Sequence, residues 1–329
     1  MKYILAPLAG FTDAPFRLIC REGGADLCYT EMVSAAGLSR DSAPTWRLAE
    51  TMEGEGPVAI QIFGAVESEV AASARMISEA VEAGRCARFS ELNLNAGCPV
   101  QKVVREGAGA KLVGNPQKIY ALLKAMKENS ALPVTLKTRL GPHPGSTTVF
   151  EIADAAERAG AAGIAVHARY TSQMHGGPVH LDVLAELVAR AKVPIVGNGS
   201  VTDAKSAAEM AKTGVAAIMI GRAALSDPHV FSRLKGVASA AQADVDSRRA
   251  FFERHLELLL RFRDALARKY PGDHIPSADA FASVKMHTHL FRYFSGRPGA
   301  SAMRARLGGI RTLAEVRECI RSFASCATA

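Results

Sequence analysis

The chain has 329 residues and a formal net charge of +8, with 48% hydrophobic and 22% charged residues. This much apolar material excludes disorder as the main state. No run reaches the roughly 18 apolar residues of a membrane span, and the start, Met1-Lys2-Tyr3-Ile4-Leu5-Ala6-Pro7, lacks the apolar core and cleavage site of a secretory signal.

The charge is unevenly placed. Residues up to 244 hold 25 basic and 24 acidic side chains, whereas residues 245–329 hold 15 and 8. The tail therefore carries nearly all the excess. It reads either as a solvated Arg-rich surface or as an accessory domain that holds a polyanion. The six cysteines, Cys20, Cys28, Cys86, Cys98, Cys319 and Cys326, form no Cys-x-x-Cys pair. Structural zinc and iron–sulfur sites lose their usual sequence support, so no metal is expected, and the thiols read as reduced in a cytoplasmic protein.

In chain order, β-rich runs cover 3–9, 27–32, 58–64, 89–97, 134–140, 163–169, 194–199 and 216–222. Amphipathic helical patterns fall between them, among others at 68–83, 116–128, 149–159 and 204–212. Asn115 before Pro116 reads as an N-cap and first-turn pair, and Asp203 as a second cap. Eight strand–helix repeats predict an α/β fold, a (β/α)₈ TIM barrel over residues 1–240. An open doubly wound sheet is the alternative, but its G-x-G-x-x-G fingerprint is absent after the first strand. A small helical bundle is expected over 245–329. Its first helix would bury Phe251, Phe252, His255, Leu256, Leu259, Leu260, Phe262 and Leu266, and a break at Tyr270-Pro271-Gly272 would follow. Further helices are expected near 278–294 and 300–307, and a last one opened by a Thr312/Glu315 capping box.

Polar residues interrupt the apolar runs at Gln61, Asn93, Asn95, Lys137, Arg139, His167, Arg169 and Asn198. One polar residue in a strand is usually a satisfied core group, but the same interruption near the end of several strands points to an active site at one barrel mouth. Asn198-Gly199-Ser200 and Gly221-Arg222 end the seventh and eighth strands, the common phosphate position of this fold. Ala6-Pro7-Leu8-Ala9-Gly10 could line a flat ring, with Gln61 and Lys137 on the ring's polar edge. A Schiff-base role for Lys137 is the competing reading. Asn95-Ala96-Gly97-Cys98-Pro99 sets a thiol on a turn beyond the fourth strand, where it can act as nucleophile or general acid.

On these residues the chain resembles the FMN-dependent tRNA-dihydrouridine synthase family. The likeness is carried by residues 6–13, Phe16-Arg17, Glu31-Met32, Gln61-Ile62-Phe63-Gly64, residues 91–99, Lys102, Gly107-Ala108-Gly109-Ala110, Lys137-Thr138-Arg139, His167 with Arg169, Asn198-Gly199 and Ile220-Gly221-Arg222. In the tail it is carried by His289, Tyr293 and Gly296-Arg297-Pro298-Gly299-Ala300.

The resemblance implies that Pro7, Leu8, Gln61, Lys137, His167, Asn198, Gly199, Gly221 and Arg222 bind FMN. It implies that Asn95 holds the uracil, that Arg169 lies in the substrate pocket and that Cys98 is the proton donor. NADPH would reduce FMN, N5 would pass hydride to uracil C6, and Cys98 would protonate C5. The base must leave its stack to reach the flavin, and the basic tail of a monomer would hold the tRNA. The chain departs from the family pattern at Ala168 and Tyr170, and over His175-Gly176-Gly177 to Val179-His180-Leu181, near the expected mouth. A reductase of a free pyrimidine or another small enone remains the alternative function. An RNA-binding barrel without catalysis is weaker, because it leaves Cys98, Lys137 and His167 unused.

Overall fold

Eight parallel strands pair side by side in chain order and close, β8 against β1, into a barrel in the computed structural model. Residues 1–87, 89–237, 245–293 and 305–322 are described, with the backbone alone for 245–248. The strands are β1 Lys2–Leu5, β2 Leu27–Ser34, β3 Val58–Phe63, β4 Glu91–Ala96, β5 Val134–Arg139, β6 Ile164–His167, β7 Ile195–Asn198 and β8 Ala217–Ile220. All eight expected strands form. Most are shorter than expected, losing residues at one or both ends, whereas β2 runs on to Ser34.

Strand alternation explains the mixed sequence pattern. One parity, including Ile60, Ile62, Leu92, Leu94, Leu136 and Val166, packs outward against the helices in the main core. The other parity faces inward: Ala59, Ala165, Ala217 and Met219 make a small apolar plug. The polar residues Gln61, Asn93, Asn95, Lys137, Arg139 and His167 share that inward parity. Register sets them side by side, Gln61 opposite Asn93, Asn95 opposite Lys137, Arg139 opposite His167, and His167 opposite Asn198.

Helices wrap the strands: α1 Ala14–Glu22, α2 Glu67–Glu82, α3 Pro116–Glu128, α4 Val149–Arg158, α5 Leu181–Arg190, α6 Ala204–Ala211 and the short α7 Arg222–Ser226. The cap readings hold. Asn115 accepts the Lys118 N–H at 3.0 Å and Asp203 that of Ser206 at 2.8 Å.

The tail forms α8 Val245–Lys269, α9 Ala278–Tyr293 and α10 Leu313–Arg321. The reciprocal Thr312/Glu315 box opens the last of these. The expected α8 face is buried except for the half-buried Leu260. Of the expected 300–307 helix only residues 305–307 are described, and they are helical. The boundary expected at 240–245 and the 296–300 motif fall wholly or largely outside the described residues.

The bundle core also takes in Ala14, Leu18 and Ile19 of α1. Barrel and tail therefore share apolar surface. Surface pairs Arg254–Glu22, Lys269–Glu50 and Arg47–Asp273 stitch the rim of that contact, each contributing little. Among the described residues no helix is long and apolar enough to cross a membrane.

Candidate active site

The C-terminal strand ends surround a cavity of about 660 Å³, within the usual range for a small-molecule or cofactor site. Eleven of the twelve sequence-expected residues line it: Pro7, Leu8, Gln61, Asn95, Cys98, Lys137, His167, Asn198, Gly199, Gly221 and Arg222. Its lining holds four cations, Lys137, Arg139, Arg222 and Arg292, and no Asp or Glu. A site with that imbalance favours anionic ligands.

Asn95 organises the turn that carries the thiol. Its Oδ1 accepts the backbone N–H of Gly97 at 3.1 Å and of Cys98 at 3.0 Å. Its Nδ2 donates to Gln61 Oε1 at 2.8 Å. Gln61 Nε2 in turn donates to Asn93 Oδ1 at 2.7 Å, and Asn93 Nδ2 to Thr135 Oγ1 at 2.8 Å. Thr135 then donates to Glu91 at 3.0 Å, and Tyr29 donates to the same carboxylate. This buried chain fixes the amide of each residue and leaves their orientation little freedom.

The Gly107–Ala110 run supports the same turn from behind. The Ala110 N–H donates to Cys98 O at 2.8 Å. Gly109 sits at φ +58°, and a Cβ there would lie 2.6 Å from that carbonyl and 2.8 Å from Val103 Cγ1. Only glycine fits. Cys98 is a free, half-buried thiol facing the cavity.

Lys137 Nζ reaches Asn198 Oδ1 at 3.3 Å, and Asn198 Nδ2 donates to Met219 O at 2.8 Å. Burial, reinforced by Arg139, pushes the Lys137 ammonium down to about 7, with Cys98 acting the other way. His167 is held far below its usual range, by burial first and then by Lys137, Arg139 and Arg169. It is a neutral imidazole, and its Nε2 accepts from Arg169 Nη1 at 3.3 Å, which leaves the proton on Nδ1.

Two arginines hold the mouth. Arg139 Nε donates to Gly97 O at 2.7 Å, and Nη1 to Tyr170 O at 3.3 Å and Met174 O at 2.8 Å. It thus ties the thiol turn to the following loop. Arg169, expected in the substrate pocket, does not line the cavity. Its donors hold Gly176 O, Gly177 O and Ser200 Oγ, so it shapes the mouth from behind. His175, in the loop that departs from the family pattern, does line the cavity. Its ring stacks on His167 at 5.9 Å, and its carbonyl accepts from Arg222 at 3.3 Å.

Sequence reading counted Arg139 among the polar strand-end residues of the mouth and placed His175 near it, but gave neither of them, nor Arg292, a role of its own. For Arg139 a signal existed, two residues beyond Lys137 on the same inward parity. For Arg292, on the tail helix α9, none did.

The structure also shows how α9 meets the barrel. Lys285 Nζ lies 3.2 Å from Asp13 Oδ2 and 4.0 Å from Glu31 Oε1, and Glu31 accepts the Gly10 N–H. Burial alone would raise the Asp13 carboxyl, but Lys285, His289 and His255 bring it below its usual range. Asp13, His255 and His289 are three buried donors within 4.8 Å of one another. The positive charge beside this carboxylate is the Lys285 ammonium.

An FMN-sized ligand fits these residues. A Cβ at Gly221, where φ is −110°, would meet only Ala6 Cβ at 3.6 Å and Leu8 Cδ2 at 3.7 Å. The missing side chain leaves room at the cavity wall. Beside it, Lys137 and Arg222 supply cations for a polar ring edge and a phosphate.

The family model for dihydrouridine synthase matches residues 4–324. A probable tRNA-dihydrouridine synthase of Treponema pallidum is 36% identical over 240 residues, 70% of this chain and 69% of that one. The tRNA-dihydrouridine synthase B of Pseudomonas putida is 30% identical over 324 residues, 98% of this chain and 91% of its own length. A solved morphinone reductase superposes with a TM-score of 0.52 at 14% identity, over 75% of this chain and 88% of that one, a likeness of fold.

Proposed function

The chain belongs to the dihydrouridine synthase family, whose members are oxidoreductases, and from that premise we propose that it reduces the C5=C6 bond of uridines in tRNA, with FMN as cofactor and NADPH as reductant. The observation that carries this reading is the Asn95-built turn, which presents the Cys98 thiol beside Lys137 to a cavity whose charged side chains are all basic. The chemistry that FMN supplies when bound is hydride transfer to C6 of the uracil.

The chain's own residues would do the rest. Pro7 and Leu8 line one wall for the ring, and Gln61 and Lys137 meet its polar edge. His167, Asn198, Gly199, Gly221 and Arg222 would hold the ribityl phosphate. Asn95 holds the uracil while its Oδ1 keeps the turn. Cys98 Sγ–H gives its proton to C5, so hydride and proton together saturate the double bond, and the thiolate is reprotonated from solvent. Arg169 acts by holding the 176–177 loop. The tail helices supply the hold on tRNA that base extrusion needs.

The test is direct. Purified full chain should be yellow and release FMN. With NADPH it should form dihydrouridine in an unmodified tRNA transcript, read by mass spectrometry, and none from free uridine. A colourless protein that cannot be reconstituted with FMN, or turnover of free uridine alone, overturns the reading.

A further inference from the structure

We propose that Arg292, on the tail helix α9, grips a backbone phosphate of the RNA strand next to the extruded nucleotide, so that the active site is completed by the bundle. The proposal rests on the tRNA reading above and assigns a residue that the barrel does not contain.

The register of α9 is set first. Lys285 is pinned by Asp13 and by Glu31, the residue that also holds Gly10. Helix α9 is thereby locked to the loop that carries Pro7 and Leu8. Arg292 lies seven residues further on, two helical turns, and so on the same face as Lys285. Its guanidinium stands 5.8 Å from the centroid of Phe11, inside the range of a cation–π contact. Phe11 is itself braced edge-on by His289 at 5.4 Å. Arg292 is exposed and lines the cavity. Among the described residues it has no carboxylate partner, whereas many arginines of the tail do.

A nucleotide swung out of its strand carries its base inward and leaves a phosphate on either side at the mouth. The other cations are committed. Lys137 lies beside Asn198, Arg139 is spent on three carbonyls, and Arg222 sits where the cofactor phosphate is placed. Arg292 remains, its planar fork suited to two phosphate oxygens and already oriented by an aromatic face.

The test compares full-length wild type, Arg292→Ala and Arg292→Lys. Flavin content and NADPH oxidation in the absence of RNA should stay close to wild type in all three, because the FMN contacts proposed above fall on barrel residues and none on Arg292. Binding of an unmodified tRNA transcript, by filter retention across a salt series, should weaken about tenfold in Arg292→Ala, the loss of one charge-assisted contact. Arg292→Lys should fall between. The slope of log affinity against log salt should also fall by about one contact. KM for tRNA should rise with kcat unchanged. A variant with wild-type affinity and an unchanged salt slope overturns the assignment to Arg292 while the tRNA reading stands. A wild type that forms no dihydrouridine overturns that reading, and one that binds no tRNA overturns both.

Discussion

Asn95 Oδ1 accepts the backbone N–H of Cys98 at 3.0 Å, so the residue proposed to hold the base also builds the turn that presents the acid. Substitution Asn95→Ala removes this acceptor and the donor to Gln61 together. Three hydrogen bonds are lost, to Gly97, Cys98 and Gln61, each worth about 1 kcal/mol, and the fold should survive. Loss of the turn's anchor would let the thiol shift by about 1 Å, an error that costs about 10²-fold in rate. Single-turnover uridine reduction should fall by about that factor, while flavin reduction by NADPH stays at the wild-type rate. Asn95→Asp keeps the acceptor and loses the donor, and should recover part of the rate if the turn is what matters.

Cys98→Ala should bind FMN and oxidise NADPH as wild type does. Reduction of the uridine in tRNA should drop by about 10²–10⁴, the usual worth of a positioned general acid. Full tRNA activity in this variant would show that another group delivers the proton.

Gly109→Ala tests the support behind the thiol. The new methyl would press on the Cys98 carbonyl from 2.6 Å in a backbone conformation that L side chains avoid. Destabilisation of about 1–3 kcal/mol is expected in denaturant unfolding. Uridine reduction should fall further than NADPH oxidation, because the damage is local to the turn.

Lys137 makes stability depend on pH in a particular direction. Its folded-state value of about 7 lies below the ordinary lysine value of 10.5. Between those two pH values the unfolded chain binds more protons than the folded one, so stability from this group rises as pH rises from about 7 to about 10.5. The cost is fully present below about 7. Lys137→Met should abolish that rise in flavin-free protein and increase its melting temperature at pH 7, while weakening FMN binding. Melting curves over the pH range, for the two proteins side by side, provide the check.

Arg139 ties Gly97 to the 170–174 loop through three carbonyls. Arg139→Ala leaves those acceptors unsatisfied and should cost about 1–3 kcal/mol. Hydrogen exchange should quicken over residues 170–177 before it does elsewhere. Arg139→Lys lacks the planar fork that spans the three carbonyls and should recover only part of the protection.

Removing the tail would be a poor test of its role in binding. Without it Ala14, Leu18 and Ile19 would face water, and Asp13 and Glu31 would lose Lys285. Barrel damage and loss of RNA contact would then be mixed, which point substitutions on α9 avoid.

The amino-acid sequence by itself determined the barrel and most of its site. Eight β-rich runs between helical patterns admit few other closures, and Gln61, Asn95, Lys137, His167 and Asn198 interrupt those runs where that closure must gather them. Local hydrogen bonds such as the Asn115 and Thr312 caps were legible because donor and acceptor lie three residues apart. Tertiary structure alone decided what Arg169 and Arg292 do. Arg169 differs from a cavity residue only by the direction of its side chain toward Gly177 and Ser200. Arg292 reaches the barrel mouth from far along the chain, because Lys285 finds Asp13 and the bundle that contains α9 shares its core with Ala14, Leu18 and Ile19 of α1. Strand periodicity repeats along the chain and can be read there. The meeting of two surfaces folded from distant segments depends on their packed shapes and has no local period to announce it.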